Sequence, residues 1–277
     1  MATKQPAPGW REFIDKWLAS LKAAGYSEQT RKTRKTRRYQ LQALSLGLGG
    51  SPLDATGEDV VEWFADHDWK PETRKSSRNA TVSFFRWLQH SGRREDDPSK
   101  ALPSVRRPQA HPRPCPDRVI LAALARATES ERLMIRLGAE AGLRRAEIAC
   151  VSSRDVMDDL HGRSLIVRGK GDKQRIVPLS DDLADEIMRH DGYLFPGRWE
   201  PHCEQSYIGK HVSALLGGGW STHSLRHRYA TMTYRATADI FLVSKLLGHE
   251  SVETTQRYVA LPDDRLRVAV GAVALGA

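Results

Sequence analysis

From the start of the chain, apolar positions recur three or four residues apart. Trp10, Phe13, Ile14, Trp17, Leu18 and Leu21 form one such stripe, the signature of a helix with a buried face. A second helix is expected over 27–46, stopped by Gly47, Gly49 and Gly50. A third begins near Thr56 with Val60, Val61 and Phe64 inward, and a fourth spans 72–90 with Ala80, Phe84, Trp87 and Leu88 apolar. Trp63, Trp69 and Trp87 read as core or core edge. Four helices with short connections make a small helical domain, placed at 1–105. The pattern then breaks. Residues 98–116 carry Pro98, Pro103, Pro108, Pro112, Pro114 and Pro116. Proline lacks an amide donor and resists helix interiors, so this stretch reads as extended, with the linker at 106–116. From 117 to 277 the pattern is mixed. Helices are expected at 117–127, 129–141, 145–151, 181–190, 204–216, 223–236, 239–247 and 251–259. Two short strands, 164–168 and 175–179, flank the polar turn Gly169-Lys170-Gly171-Asp172-Lys173, a hairpin signal.

Charge changes the picture. The 277-residue chain has a formal net charge of +9, and 40% of its residues are apolar, enough for ordinary cores. A basic balance of this size points to a polyanionic partner, nucleic acid before membrane. Residues 1–114 hold 21 Lys+Arg against 13 Asp+Glu, whereas the remainder holds 22 against 21. The first domain is therefore the expected DNA grip. Six cations crowd into residues 31–38; on a helix Arg31, Lys35 and Arg38 share a face, as do Arg34 and Arg37 or Arg38. These five are the candidate DNA-binding residues, with Thr30, Thr33 and Thr36 as hydroxyl partners to phosphate. Lys100, Arg106, Arg107 and Arg113 would let the linker track the backbone too. Cys115, Cys150 and Cys203 are odd in number and form no CxxC, so reduced thiols are expected. His202-Cys203 makes no convincing metal site, and no metal or cofactor is expected. The N-terminus lacks a signal pattern, and no apolar run nears the roughly 20 residues that span a bilayer. A cytoplasmic, nucleoid-associated protein without membrane contact is the expectation.

Five short motifs carry the candidate chemistry. They are Gly142-Leu143-Arg144-Arg145-Ala146-Glu147, the lysine turn Gly169-Lys170-Gly171, His223-Ser224-Leu225-Arg226-His227, Leu246-Leu247-Gly248-His249, and Thr254-Thr255-Gln256-Arg257-Tyr258. Taken singly, each has an ordinary explanation: an ion-paired arginine, a solvated lysine, a helix-end histidine, a half-buried tyrosine. Their joint order, Arg, Lys, His-x-x-Arg, His, Tyr, resembles the tyrosine recombinase family, which includes phage integrases and Xer recombinases. The resemblance covers the whole second domain and, more loosely, the first.

That resemblance implies a mainly α fold with a small β-hairpin or sheet: a four-helix core-binding (SAM-like) domain and an α+β catalytic domain, closing as a clamp on DNA. It implies site-specific recombination by transesterification. Tyr258 would attack a phosphodiester and become linked to the 3′-phosphate, and a Holliday junction would follow. Arg144 and Arg226 would hold the non-bridging oxygens, because guanidinium forks match phosphate geometry. His223 and His249 would share those oxygens, and His223 would accept the phenol proton. Lys170 would protonate the leaving 5′-oxygen, with Lys173 as its rival for that role. Glu147 would support Arg144 or a nearby histidine, and His227 is a further supporting position. The partners implied are double-stranded attachment sites and three further copies of the chain, four in the synapse, with the segment after Tyr258 docking on a neighbour. Few residues precede the first helix, so the arm-binding domain of larger phage integrases is expected to be absent. The origin stays open between phage integrase, chromosomal Xer-like recombinase and transposon recombinase. A type IB topoisomerase and a DNA-binding protein that has lost catalysis are the other readings. The uncharged last residues, Val270–Ala277, are read either as a frayed end or as a degradation signal.

Overall fold

A computed structural model describes residues 5–24, 28–106, 112–169, 174–249 and 255, with the backbone alone for 28–32. The chain divides into two compact units, Met1–Gln109 and Ala110–Ala277. It is mostly helical, with one three-stranded sheet among the described residues.

In the first unit, α1 (Pro8–Ala23), α2 (Glu28–Leu48), α3 (Gly57–Ala65) and α4 (Pro71–His90) follow the predicted stripes. Proline opens α1 and α4, where its missing amide costs nothing. Thr56 and Asp59 close a capping box at the start of α3. Trp10, Ile14 and Trp17 are fully buried against Phe84, Phe85 and Leu88 of α4. The Trp10 indole donates to the Gly49 carbonyl at 2.8 Å, which satisfies its one polar atom. Trp63, Trp69 and Trp87 lie half-buried at the core edge.

The proline-rich stretch begins inside the first unit, ahead of the linker expected at 106–116. Pro98–Ala101 is a 3-10 helix with Pro98 and Ser99 buried, and Arg78 of α4 donates to the carbonyls of Leu102 and Pro103. At the far end Cys115 is buried and its amide donates to the Ser224 carbonyl at 3.0 Å. Arg113 lies over the Trp220 ring, 4.4 Å from its centre. Prolines at both ends are thus packed into their own unit, and the stretch 107–111 lies outside the described residues. The reason is that proline forbids a helix interior but not a helix start or an extended segment with carbonyl partners.

The second unit begins with α5 (Asp117–Leu124), α6 (Glu129–Ala139) and α7 (Arg145–Ala149). The antiparallel sheet follows, β1 (Val156–Asp159), β2 (Gly162–Arg168) and β3 (Gln174–Leu179), in that order, with Leu165 opposite both Val156 and Val177. Then come α8 (Asp181–Met188), α9 (Gln205–Leu216), α10 (Thr222–Thr237) and α11 (Ile240–Leu247). β1 was not expected, since Met157, Asp158 and Asp159 are all exposed and show no apolar alternation. The expected helix at 251–259 lies outside the described residues apart from Thr255. Helices α6 and α10 pack at Gly138, where an added Cβ would stand 3.0 Å from the Leu225 side chain. That contact fixes α10, and with it the HxxR motif, against the central core.

Candidate active site

The site is built around one buried carboxylate. After α6 the chain turns through Gly142 at φ +65°, where a Cβ would meet the Tyr229 ring at 2.4 Å. Only glycine fits that turn. It delivers Arg144 to the cap position of α7, and Glu147 reaches back to accept the Arg144 amide at 2.8 Å and its guanidinium Nη1 at 2.8 Å. Arg175 on β3 grips the same carboxylate with both Nη atoms, each at 2.8 Å, and donates through Nε to the Leu246 carbonyl at 2.9 Å. Arg226 comes from the second turn of α10 and is 1% exposed. Its Nη1 donates to the Gly142 carbonyl at 2.5 Å and its Nη2 to the Leu247 carbonyl at 2.6 Å, with Glu147 at 3.8 Å.

The histidines approach from two helix ends. Asp239 caps α11 by accepting the amides of Phe241 and Leu242, and Gly248 ends it in the left-handed conformation. His249 follows directly. Its Nε2 lies 3.0 Å from Arg226 Nη2 and its Nδ1 2.9 Å from the Thr255 hydroxyl. A guanidinium only donates, so Nε2 is the accepting nitrogen and Nδ1 carries the proton. His223 stands in the first turn of α10, with its ring edge-on to that of buried His227 at 4.6 Å between centres.

Electrostatics follow from this packing. Burial pushes the Glu147 carboxyl up, but Arg175 and Arg144 outweigh it and hold the group down at about 2. His249 is lowered to about 3, first by burial and then by the charges of Arg226, Arg144 and Arg175. His223 is lowered for the same two reasons, burial and then Arg226 and Arg144. The site is therefore a cationic pocket in which burial and the neighbouring arginines disfavour the charged forms of His249 and His223. Two arginines from different elements with two imidazoles beside them are suited to a phosphodiester.

Of the residues expected from sequence, Arg144, Glu147, Arg226 and His249 are brought together directly, with His223 and His227 alongside on α10. Lys170, Lys173 and Tyr258 lie outside the described residues, as does the side chain of Arg31. In α2, Lys35 is exposed and Arg34 and Arg37 are half-buried, while Arg38 is already paired with Asp15 at 2.5 Å. Sequence reasoning passed over Arg175. Its signal was phase: Arg175, Val177 and Leu179 share the more buried side of β3, and an arginine there needs a carboxylate. Thr255, fully buried against His249, was passed over too. Cys150 Sγ sits 3.4 Å from His202 Nε2, yet among the described residues no group of three His, Cys, Asp or Glu side chains is placed to hold a metal. No described helix is long and apolar enough to cross a membrane.

Residues 118–265 match the model of the phage integrase family. The chain belongs to that family, the tyrosine recombinases. It is similar to tyrosine recombinase XerC of Chromobacterium violaceum, at 28% identity over 90% of either chain. It is also similar to XerD of Proteus mirabilis, at 28% identity over 85% of either chain. Among solved structures, the XerH recombinase bound to difH substrate superposes with a TM-score of 0.72 at 17% identity, over 98% of this chain and 97% of that one. A lambda integrase dimer bound to a COC′ core site gives 0.73 at 18% identity, over 90% and 76%. These superpositions establish the recombinase fold. Phage integrase family members of this kind are site-specific recombinases, enzymes that cut and rejoin DNA.

Proposed function

We propose that this recombinase exchanges strands at specific double-stranded sites through a 3′-phosphotyrosyl link to Tyr258, in a synapse of four protomers in the bacterial cytoplasm. The observation that carries the site assignment is the convergence of Arg226 and His249, from motifs 23 residues apart, 3.0 Å from each other beside the Glu147–Arg144 pair. In this reading Arg144 and Arg226 neutralise the non-bridging oxygens, and that charge stabilisation is the largest contribution to rate. His249 and His223 complete the shell, with His223 accepting the phenol proton. Lys170 delivers a proton to the leaving 5′-oxygen. The phosphotyrosine conserves the bond energy, so the reverse attack rejoins the strand without a nucleotide cofactor. Glu147 and His227 support the shell, and Arg34, Lys35 and Arg37 of α2, with Arg31 beside them, contact phosphates.

Integration of a phage genome is the reading we favour for the biological role. A chromosomal role of the Xer type is the second, favoured by the XerC and XerD relatives. The test is to trap protein–DNA adducts in cells, digest the protein and sequence the attached DNA. A phage attachment site, a chromosomal resolution site and random DNA are the three outcomes, and the last removes site specificity. Tyr258→Phe should bind the recovered site and yield no adduct on a denaturing gel.

A further inference from the structure

We propose that Arg175 is a positioning residue for strand cleavage: it secures Glu147 and the Leu246 carbonyl, so that Arg144 can leave Glu147 for the phosphate without stranding a buried carboxylate. The inference rests on the phosphodiester-cleaving reading of the site given above.

The geometry divides two arginines on one carboxylate into a strut and a mobile arm. The Arg175 side chain is 11% exposed and spends three nitrogens on fixed acceptors, both oxygens of Glu147 and the carbonyl of Leu246. Arg144 spends one guanidinium nitrogen on Glu147, and its side chain is 41% exposed. Glu147 is 5% exposed. A carboxylate so buried cannot be left without a cation. When Arg144 swings to a phosphate, Glu147 keeps Arg175, the Arg144 backbone amide at 2.8 Å, and Arg226 at 3.8 Å. The groups facing Glu147 are thus Arg144, Arg175 and Arg226, with His249 and the Cys150 thiol further off. The Cys150 thiol is raised, first by desolvation and then by Asp155 and Glu147.

Arg175 also fixes the opposite wall. Its bond to the Leu246 carbonyl holds the last turn of α11, three residues before His249. The approach is so close that a Cβ on Gly248 would stand 2.9 Å from Arg175 Cδ. The glycine of the Leu-Gly-His motif therefore serves Arg175 as well as the helix end. Because Arg175 sits at the start of β3, one side chain links that strand to the elements bearing Arg144 and His249.

The test uses full-length protein and a nicked suicide duplex carrying the DNA recovered from cellular adducts, with Tyr258→Phe as the blank. Single-turnover adduct formation is measured from pH 5 to pH 8 for wild type, Arg175→Gln, Arg175→Lys, Glu147→Gln and the Arg175→Gln/Glu147→Gln pair. We expect Arg175→Gln to slow the adduct about 100-fold, the scale of a misplaced reacting group, with duplex affinity nearly unchanged. Its rate relative to wild type should fall further toward pH 5, as Glu147 takes up a proton. Arg175→Lys should recover part of the rate and flatten that pH dependence. The double variant should lose less than the product of the two single losses, since both side chains share one interaction and only the Leu246 bond is left to Arg175 alone. Wild-type rates in Arg175→Gln, or a pH-independent loss that multiplies with that of Glu147→Gln, would overturn the inference. If Arg175→Gln misfolds by circular dichroism, Arg175→Lys decides: a rate equal to wild type at every pH rejects the strut. Failure of wild type itself to form any adduct would instead overturn the cleavage reading.

Discussion

Arg144 and Arg226 share a chemistry but not a setting, and their variants should differ accordingly. Arg226 is buried, and removing it leaves the Gly142 and Leu247 carbonyls without their donor. Arg226→Ala should therefore cost about 3 kcal/mol of stability or more, as well as cleavage. Arg144 is partly exposed, and Glu147 keeps its other partners, so Arg144→Ala should cost about 1 kcal/mol. Both should slow cleavage by at least roughly 100-fold, the scale of a lost oxyanion donor. Thermal unfolding beside single-turnover rates separates the two effects. The acid side of the stability profile should be steep. Glu147 is held at about 2 against an ordinary 4.5, so its contribution, on the order of 3 kcal/mol, is full above about 4.5 and drains away as pH falls toward 2. His249 is held neutral down to about 3 against 6.5. The unfolded chain binds its proton first, so stability also falls from about 6.5 downward. An anion at the site opposes this for His249: DNA binding should raise its pKa from about 3, so binding should take up protons and strengthen as pH falls below about 6.5. Calorimetry in buffers of different ionisation enthalpy measures that uptake, and a null result would place the phosphate away from His249.

At the scale of elements, two short features hold the site's main-chain frame. Asp239→Ala should cost about 1 kcal/mol as a lost helix cap and loosen α11, lowering cleavage more than DNA binding. Gly142→Ala should do more harm, because it adds both a strained φ and a clash with the Tyr229 ring; the check is cleavage rate and melting temperature together. The helices of both units, the five-residue α7 apart, were legible because their apolar residues keep a 3.6 period over two turns or more. β1 was not, since Val156-Met157-Asp158-Asp159 meets solvent along most of its length and owes its place to pairing with β2. The cationic shell was legible as an order of motifs. Its wiring was not: Arg175 stands between Gln174 and Ile176, where a strand's alternation makes a polar residue look like a solvent-facing one. Only the buried phase shared with Val177 distinguishes it, and that phase depends on where the strand starts.

Across the molecule, charge is concentrated in the first unit. Arg38 is engaged by Asp15, whereas no such pair is seen for Arg34, Lys35 or Arg37 among the described contacts. Arg34→Ala with Arg37→Ala should weaken binding to all sequences alike and reduce the slope of log affinity against log salt by about one per lost phosphate contact. Titrations at several salt concentrations measure this. Arg38→Ala should change the slope less, as it begins with a partner of its own. A loss confined to one base pair would mean that α2 reads bases rather than backbone.

The anchoring of Arg226 bears on how such an enzyme diverges. Its guanidinium is positioned by the carbonyls of Gly142 and Leu247, and a carbonyl is present whatever side chain a residue carries. Drift at position 247 can exchange one apolar side chain for another and leave the acceptor where it was. Position 142 is constrained by its turn, not by the bond it makes. A guanidinium fixed in this way is insulated from most substitutions around it, so the side chain proposed to hold the phosphate can keep its place while its neighbours change.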